Sequence, residues 1–194
     1  MKSEITRDDI LPMAEYSASR KDRRTAMSAL KSRRRAHVGP DATFYFESYE
    51  TMWHQIHEML YIEGGGDEQI DDELTAYNPL IPKGSELVAT LMFEIDDPDR
   101  RAAFLAGLGG IEETVTITVD GQTITAVPEA DVDRTTADGK ASSIQFLHFP
   151  FTPEQIAAFR QPSAQITLGI GHPKYGHMAI LPEDVRDALA ADFE

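Results

Sequence analysis

Residues 114–127 read TVTITV-DG-QTITAV, two runs of alternating apolar and threonine residues joined by Asp120 and Gly121. Alternation with a period of two predicts strands that bury one face, and Asp-Gly is the dipeptide that accepts the positive φ angles of a two-residue hairpin turn. The stretch therefore predicts antiparallel pairing. Outward from it, ELVATLMFEI from Glu86 is a continuous β-rich run bounded by Gly84 and by Asp96, Asp97 and Pro98, the pattern of a buried central strand. Further strands follow in IQFLHFPF (144–151), AQITLGI (164–170) and HMAIL (177–181), the last two separated by the turn GHPKYGH (171–177). Hairpins and short helices join these runs, without a regular βαβ alternation. The fold class expected is α+β, with a largely antiparallel sheet, flanking helices and a long basic N-terminal helical arm.

The helical segments carry their own punctuation. Asp8 or Asp9 is a candidate cap for a helix with Pro12 in its first turn, running towards Arg35 and ended by His37, Val38, Gly39 and Pro40. ATFYFES (42–48) alternates as a short strand would. TMWHQIHEMLYIE (51–63) places Met52, Ile56, Met59 and Leu60 on one helical face and stops at Gly64, Gly65 and Gly66. Helices are also expected over 67–77, over 98–108, from Thr152 (with Pro153 and Gln155 completing a capping box) to Arg160, and from Pro182 onward. The polar stretch 128–143 reads as a loop.

Composition narrows the chemistry. A chain of 194 residues can bury a core unaided, and 41% apolar with 26% charged residues is ordinary globular composition. With no cysteine, disulfides, thiolate zinc sites, cysteine-ligated iron–sulfur clusters and cysteine nucleophiles are excluded. No apolar run approaches the roughly 18 residues of a membrane span, and the N-terminus lacks the apolar stretch of a secretory signal, so a cytoplasmic location is expected.

Charge is unevenly placed: the formal net charge is −15, but residues 1–40 hold ten Lys/Arg against five Asp/Glu, 10 − 5 = +5, which leaves −20 for residues 41–194. The chain divides into a basic helical arm, 1–40, and a single acidic α+β domain, 41–194. Eight of the ten arm cations lie in RKDRRTAMSALKSRRR (20–35). Such a run can neutralise nucleic-acid phosphates. A body at −20 repels a polyanion, however, and no nucleic-acid-reading motif accompanies the run, so the expected takers are the chain's own acidic body, an acidic protein surface or a second copy in a homodimer.

Three constellations are candidates for chemistry. Glu47, Glu50, His54 and Glu58 recur at helical spacing opposite the apolar stripe, with His57 at its margin. These side chains suit iron, manganese or zinc, or an acid–base pair, although the same spacing also builds a solvated polar face. His148, on a strand between aromatics, with His172 and His177 beside the glycine-rich turn, would form a metal or proton-transfer site if the last two strands pair with the one carrying His148. Isolated turn histidines are more often structural. Arg134 and Lys140, the two cations of the acidic loop, would grip a small anionic cofactor or substrate, or simply pair with Asp131, Asp133 and Asp138. Phosphate-loop, calcium-loop and nucleophile-elbow patterns fail at required positions.

Several stretches together resemble a known family: DDILPMAEY (8–16), RRRAHVGPDATFYFES (33–48), TMWHQIHEML (51–60), AYNPLIPKGSELVATLMFEI (76–95), DVDRTTADGKASSIQFLHFPF (131–151) and HPKYGHMAIL (172–181). They are similar to the bacterial domain-of-unknown-function family 3501 (DUF3501). The resemblance brings no catalytic residues. It implies an association with a rubrerythrin and an iron–sulfur oxidoreductase, and hence a role near peroxide or electron-transfer chemistry. The expected functions are an accessory metal-binding protein of an oxidative-stress or iron-linked redox system, an interaction module using the basic arm, or an enzyme acting on a small anionic substrate.

Overall fold

A computed structural model describes residues 2–129, 135–136 and 139–194. Two antiparallel sheets and six α-helices make up the α+β fold among these residues. The first sheet orders its strands β1 (Arg35–Val38), β2 (Ala42–Phe46), β3 (Glu86–Phe93), β7 (Ile144–Pro150) and β6 (Val127–Pro128), with β3 at its centre. The second orders β5 (Gln122–Thr125), β4 (Val115–Val119), β8 (Ile166–His172) and β9 (Tyr175–Ile180). Asp120 at φ 48° and Gly121 at φ 74° form the hairpin turn between β4 and β5 that the sequence requires.

Side-chain alternation stacks the sheets. Ala42, Phe44 and Phe46 of β2 and Leu87, Ala89 and Leu91 of β3 face Val115, Ile117 and Val119 of β4 and Leu168 of β8 in one continuous apolar core. Burying each large aliphatic or aromatic side chain contributes on the order of 1.5–3 kcal/mol. Tyr175 ties the two sheets together: its hydroxyl donates to the Val38 carbonyl at 2.8 Å and accepts the Asp41 and Ala42 amides at 3.0 Å each. The short helices α4 (Pro98–Leu105), α5 (Pro153–Phe159) and α6 (Glu183–Ala190) add Leu105, Phe159 and Leu189 to the same core.

The opposite face of the first sheet carries a helical layer made of α1 (Met13–Ser32), α2 (Tyr49–Glu63) and α3 (Asp67–Tyr77). Ile5, Met52, Ile56, Leu60, Leu80, Ile81 and Val88 form a second core between these helices and the sheet. Ser48 caps α2, accepting the Thr51 amide, and Gly64 ends it in the left-handed conformation at φ 65°. No helix among the described residues is long and apolar enough to cross a membrane.

The first helix differs from the sequence expectation at both ends. Asp9 does not cap it; instead it accepts from Lys2 and Thr6 within a separate short turn, and Pro12 precedes Met13 at the helix start. The helix stops at Ser32, and Arg35–Val38 pair with β2 because Ala36 and Val38 alternate into the main core. The basic run therefore ends inside a sheet. The helix over 98–108 closes earlier, at Leu105, and the strands after residue 164 leave only Pro173 and Lys174 for their turn, so that His172 and His177 lie in strands.

Candidate functional site

The apolar stripe of α2 meets the first sheet, while His54 and Glu58 on its other side meet Tyr16 and Arg20 of α1. Of the expected row, Glu47, His54 and His57 are buried, Glu58 is half-buried and Glu50 is exposed. Tyr16, fully buried on α1, donates its hydroxyl proton to Glu58 at 2.7 Å. The same hydroxyl oxygen lies 3.3 Å from His54 Nδ1, so the proton of that pair sits on the imidazole. Arg20 closes the cluster with two hydrogen bonds to Glu58, at 2.9 and 2.8 Å. This forked guanidinium holds the Glu58 carboxyl down at about 2 despite partial burial. Burial depresses both His54 and His57, which favours the neutral rings.

His57 is fully committed. Its Nε2 accepts the Leu11 amide at 3.0 Å, and its Nδ1 donates to the Trp53 carbonyl at 2.7 Å. No lone pair is left for a metal. The ring also stacks between Trp53, at 3.8 Å, and Tyr16, at 4.9 Å. Glu50 lies exposed at the helix start, accepting from Ser48 Oγ at 2.8 Å, while Glu47 turns inward between two hydroxyls. The expected row of ligands is thus dispersed among separate partners. Tyr16 and Arg20, which bind two of its members, lay outside the reading of the stripe, because a pattern within one helix does not show which other helix covers it.

The three histidines do not converge. His148 belongs to the first sheet and His172 and His177 to the second, so the expected pairing of the last two strands with the His148 strand is corrected. His148 instead bridges Glu86, 3.0 Å from Nδ1, and Glu129, 2.9 Å from Nε2. The Glu86 hydrogen bond, reinforced by Glu129, raises the imidazole pKa and favours the imidazolium. Carboxylates at opposite ends of one ring share no coordination point. His172 Nδ1 accepts the Lys174 amide at 3.2 Å within the β8–β9 turn, and the His177 ring lies 4.5 Å from Tyr175. A Cβ on Gly39, whose φ is +71°, would come within 2.6 Å of the His177 ring. Among the described residues no group of three or more His, Asp or Glu side chains is arranged to hold a metal ion. Lys140 is exposed, its backbone amide donating to Thr136, and Arg134 lies outside the described residues.

The basic run separates into two populations. Arg34 is buried, with hydrogen bonds to Asp192 Oδ1 at 3.1 Å, to the Phe46 carbonyl at 3.0 Å and to the Glu47 carbonyl at 2.8 Å. Arg20 pairs with Glu58, and Arg23 lies over the Trp53 ring at 5.0 Å. Lys21 and Arg24 line an open groove with Arg20, Thr25, Ser28 and Tyr61, and unlike Arg20 neither has an ion-pair partner among the described residues. Ile62, 67% exposed, follows Tyr61 on α2.

The sequence of residues 4–193 matches the family model described as "Protein of unknown function (DUF3501)". Among solved structures, the chain resembles a novel protein of unknown function from Burkholderia pseudomallei K96243, with a TM-score of 0.91 and 36% identity. The likeness covers 98% of this chain and 99% of that one. Among curated proteins none matches. With nearly every residue matched and the fold shared end to end, the chain belongs to the DUF3501 family.

Proposed function

We propose that the protein is an interaction module whose first helix docks on an acidic surface of a partner protein. One observation carries this reading: Lys21 and Arg24 are exposed and have no ion-pair partner among the described residues, in a chain with 33 acidic and only 18 basic side chains. A basic run serving only the chain's own acidic body would find carboxylates for these two, as Arg20 and Arg34 do. Unpaired cations beside Tyr61 and Ile62 suit an acidic segment that also presents apolar side chains, since charge sets approach and orientation while aromatic and apolar contact adds affinity. The acidic body disfavours nucleic acid at the same groove. A rubrerythrin and an iron–sulfur oxidoreductase, implied by the family resemblance, are the partners to test first.

Biolayer interferometry with immobilised full-length protein tests the reading. The two candidate partners and a polyglutamate peptide serve as analytes at 50 and 300 mM salt. At least one candidate partner should bind, less tightly at high salt, and the Lys21→Glu, Arg24→Glu variant should lose that binding. Binding indifferent to both salt and charge reversal would refute the proposal, as would no binding by any analyte.

A further inference from the structure

On the side of α2 away from that groove, a cleft of about 320 Å³ opens over the outer face of the first sheet. Its size lies near the lower end of the roughly 300–1,000 Å³ typical of small-molecule sites. Strand register builds the floor: Tyr45, Thr90 and Phe146 stand in one row across β2, β3 and β7, and Met92 and Ile144 are paired in the next. The helical layer stops short of that second row, leaving Ile144 38% exposed at the rim. Tyr77 at the end of α3 and Gln55 of α2 form the facing wall, and Lys31 of α1 lines the remaining side.

The acidic group among the residues lining this largely apolar cleft is Glu47, only 7% exposed. Its Oε1 accepts from Thr90 Oγ1 at 2.7 Å and its Oε2 from Thr51 Oγ1 at 2.6 Å. No cation lies within ion-pair distance of it among the described residues. Two hydroxyls orient a carboxylate without neutralising it, and each oxygen keeps a free lone-pair direction. A buried, uncompensated carboxylate is expensive for a fold to maintain, whereas Glu58 on the same helix has its arginine.

We propose that this cleft binds a small primary amine with an aromatic body, its ammonium on the Glu47 carboxylate and its ring among Tyr45, Tyr77 and Phe146. Aromatic walls favour offset or edge contacts with such a ring. Lys31 sets the second determinant: it tolerates an anionic tail and repels a second ammonium, so an aromatic amino acid fits and a diamine does not.

Ligand-observed NMR titration of the full-length protein with 2-phenylethylamine, L-phenylalanine and 3-phenylpropionate tests this. Both amine-bearing compounds should bind saturably and the acid should not. Glu47→Gln should weaken amine binding at least roughly tenfold through loss of a charge-assisted hydrogen bond. Ile144→Trp fills the exposed rim without touching Glu47 or its threonines, and it should block the amines even if the first variant folds poorly. Failure of both amines to bind, equal binding by wild type and Glu47→Gln, amine binding unaffected by Ile144→Trp, or binding of the acid alone would each overturn the proposal. None of these variants alters Lys21 or Arg24, so the result is independent of the docking reading.

Discussion

The basic residues of the first helix are alike in sequence and have opposite fates in the fold. Tyr16, Arg20 and Arg23 follow the spacing that faces α2, and they meet Glu58, His54 and Trp53. Lys21 and Arg24, beside Arg20 along the same groove, are exposed to solvent. The difference lies in which acceptors come within reach, not in composition: Arg20 finds Glu58, and Arg24 one turn later finds no carboxylate within ion-pair distance among the described residues. A run of basic residues is therefore two things at once: the inward members hold the fold, and the outward members leave positive charge on an otherwise acidic molecule.

That division has measurable consequences. Arg34 lies deepest, its side chain 8% exposed against 7% for Asp192, and Arg34→Ala strands the carboxylate and two backbone carbonyls. Urea unfolding should show a loss of about 3–5 kcal/mol. Arg20→Ala removes the partner of a partly buried Glu58 and should lower the urea midpoint near neutral pH, by less than Arg34→Ala does. Because Glu58 is depressed in the folded state, its contribution is present above its ordinary pKa of about 4.5 and is lost as pH falls towards about 2. The Arg20→Ala penalty should shrink over that window, and an undiminished penalty at pH 2.5 would place the effect in packing instead.

His148 extends the comparison beyond α1. It is raised in the folded state, chiefly by Glu86, so its stabilisation is complete below the unfolded value of about 6.5 and fades as pH rises through the raised one. His148→Gln should therefore cost about 1–2 kcal/mol at pH 6 and much less at pH 9 by urea midpoint. Smallest of all, Lys21→Glu with Arg24→Glu should change stability by under about 0.5 kcal/mol, since exposed charges without partners add little.

How much of this was legible in the sequence depended on the range of the interactions. The β4–β5 hairpin and the central strand β3 could be read because turn chemistry and alternation are local. The strand Arg35–Val38 was not: four residues directly after a basic helix read as its continuation, and only pairing with β2 reveals Ala36 and Val38 as core. Glu47, His54, His57 and Glu58 stood out by spacing, but beyond the local contacts to Thr51 and Trp53 they are held by Thr90, Tyr16, Leu11 and Arg20, tens of residues away. His148 was noticed without Glu86 and Glu129 for the same reason. The cleft over the first sheet exists only through strand register and the reach of the helical layer, neither of which a linear pattern contains.

Under the proposed docking role, the exposed charges of α1 serve a partner and not the fold. That role is tested most directly by measuring, on one preparation of the Lys21→Glu, Arg24→Glu variant, both the urea midpoint and binding to the partner that the wild type captures at low salt. An unchanged midpoint with binding lost is the expected outcome. A midpoint that falls like that of Arg20→Ala, or binding that survives the reversal, would contradict that role.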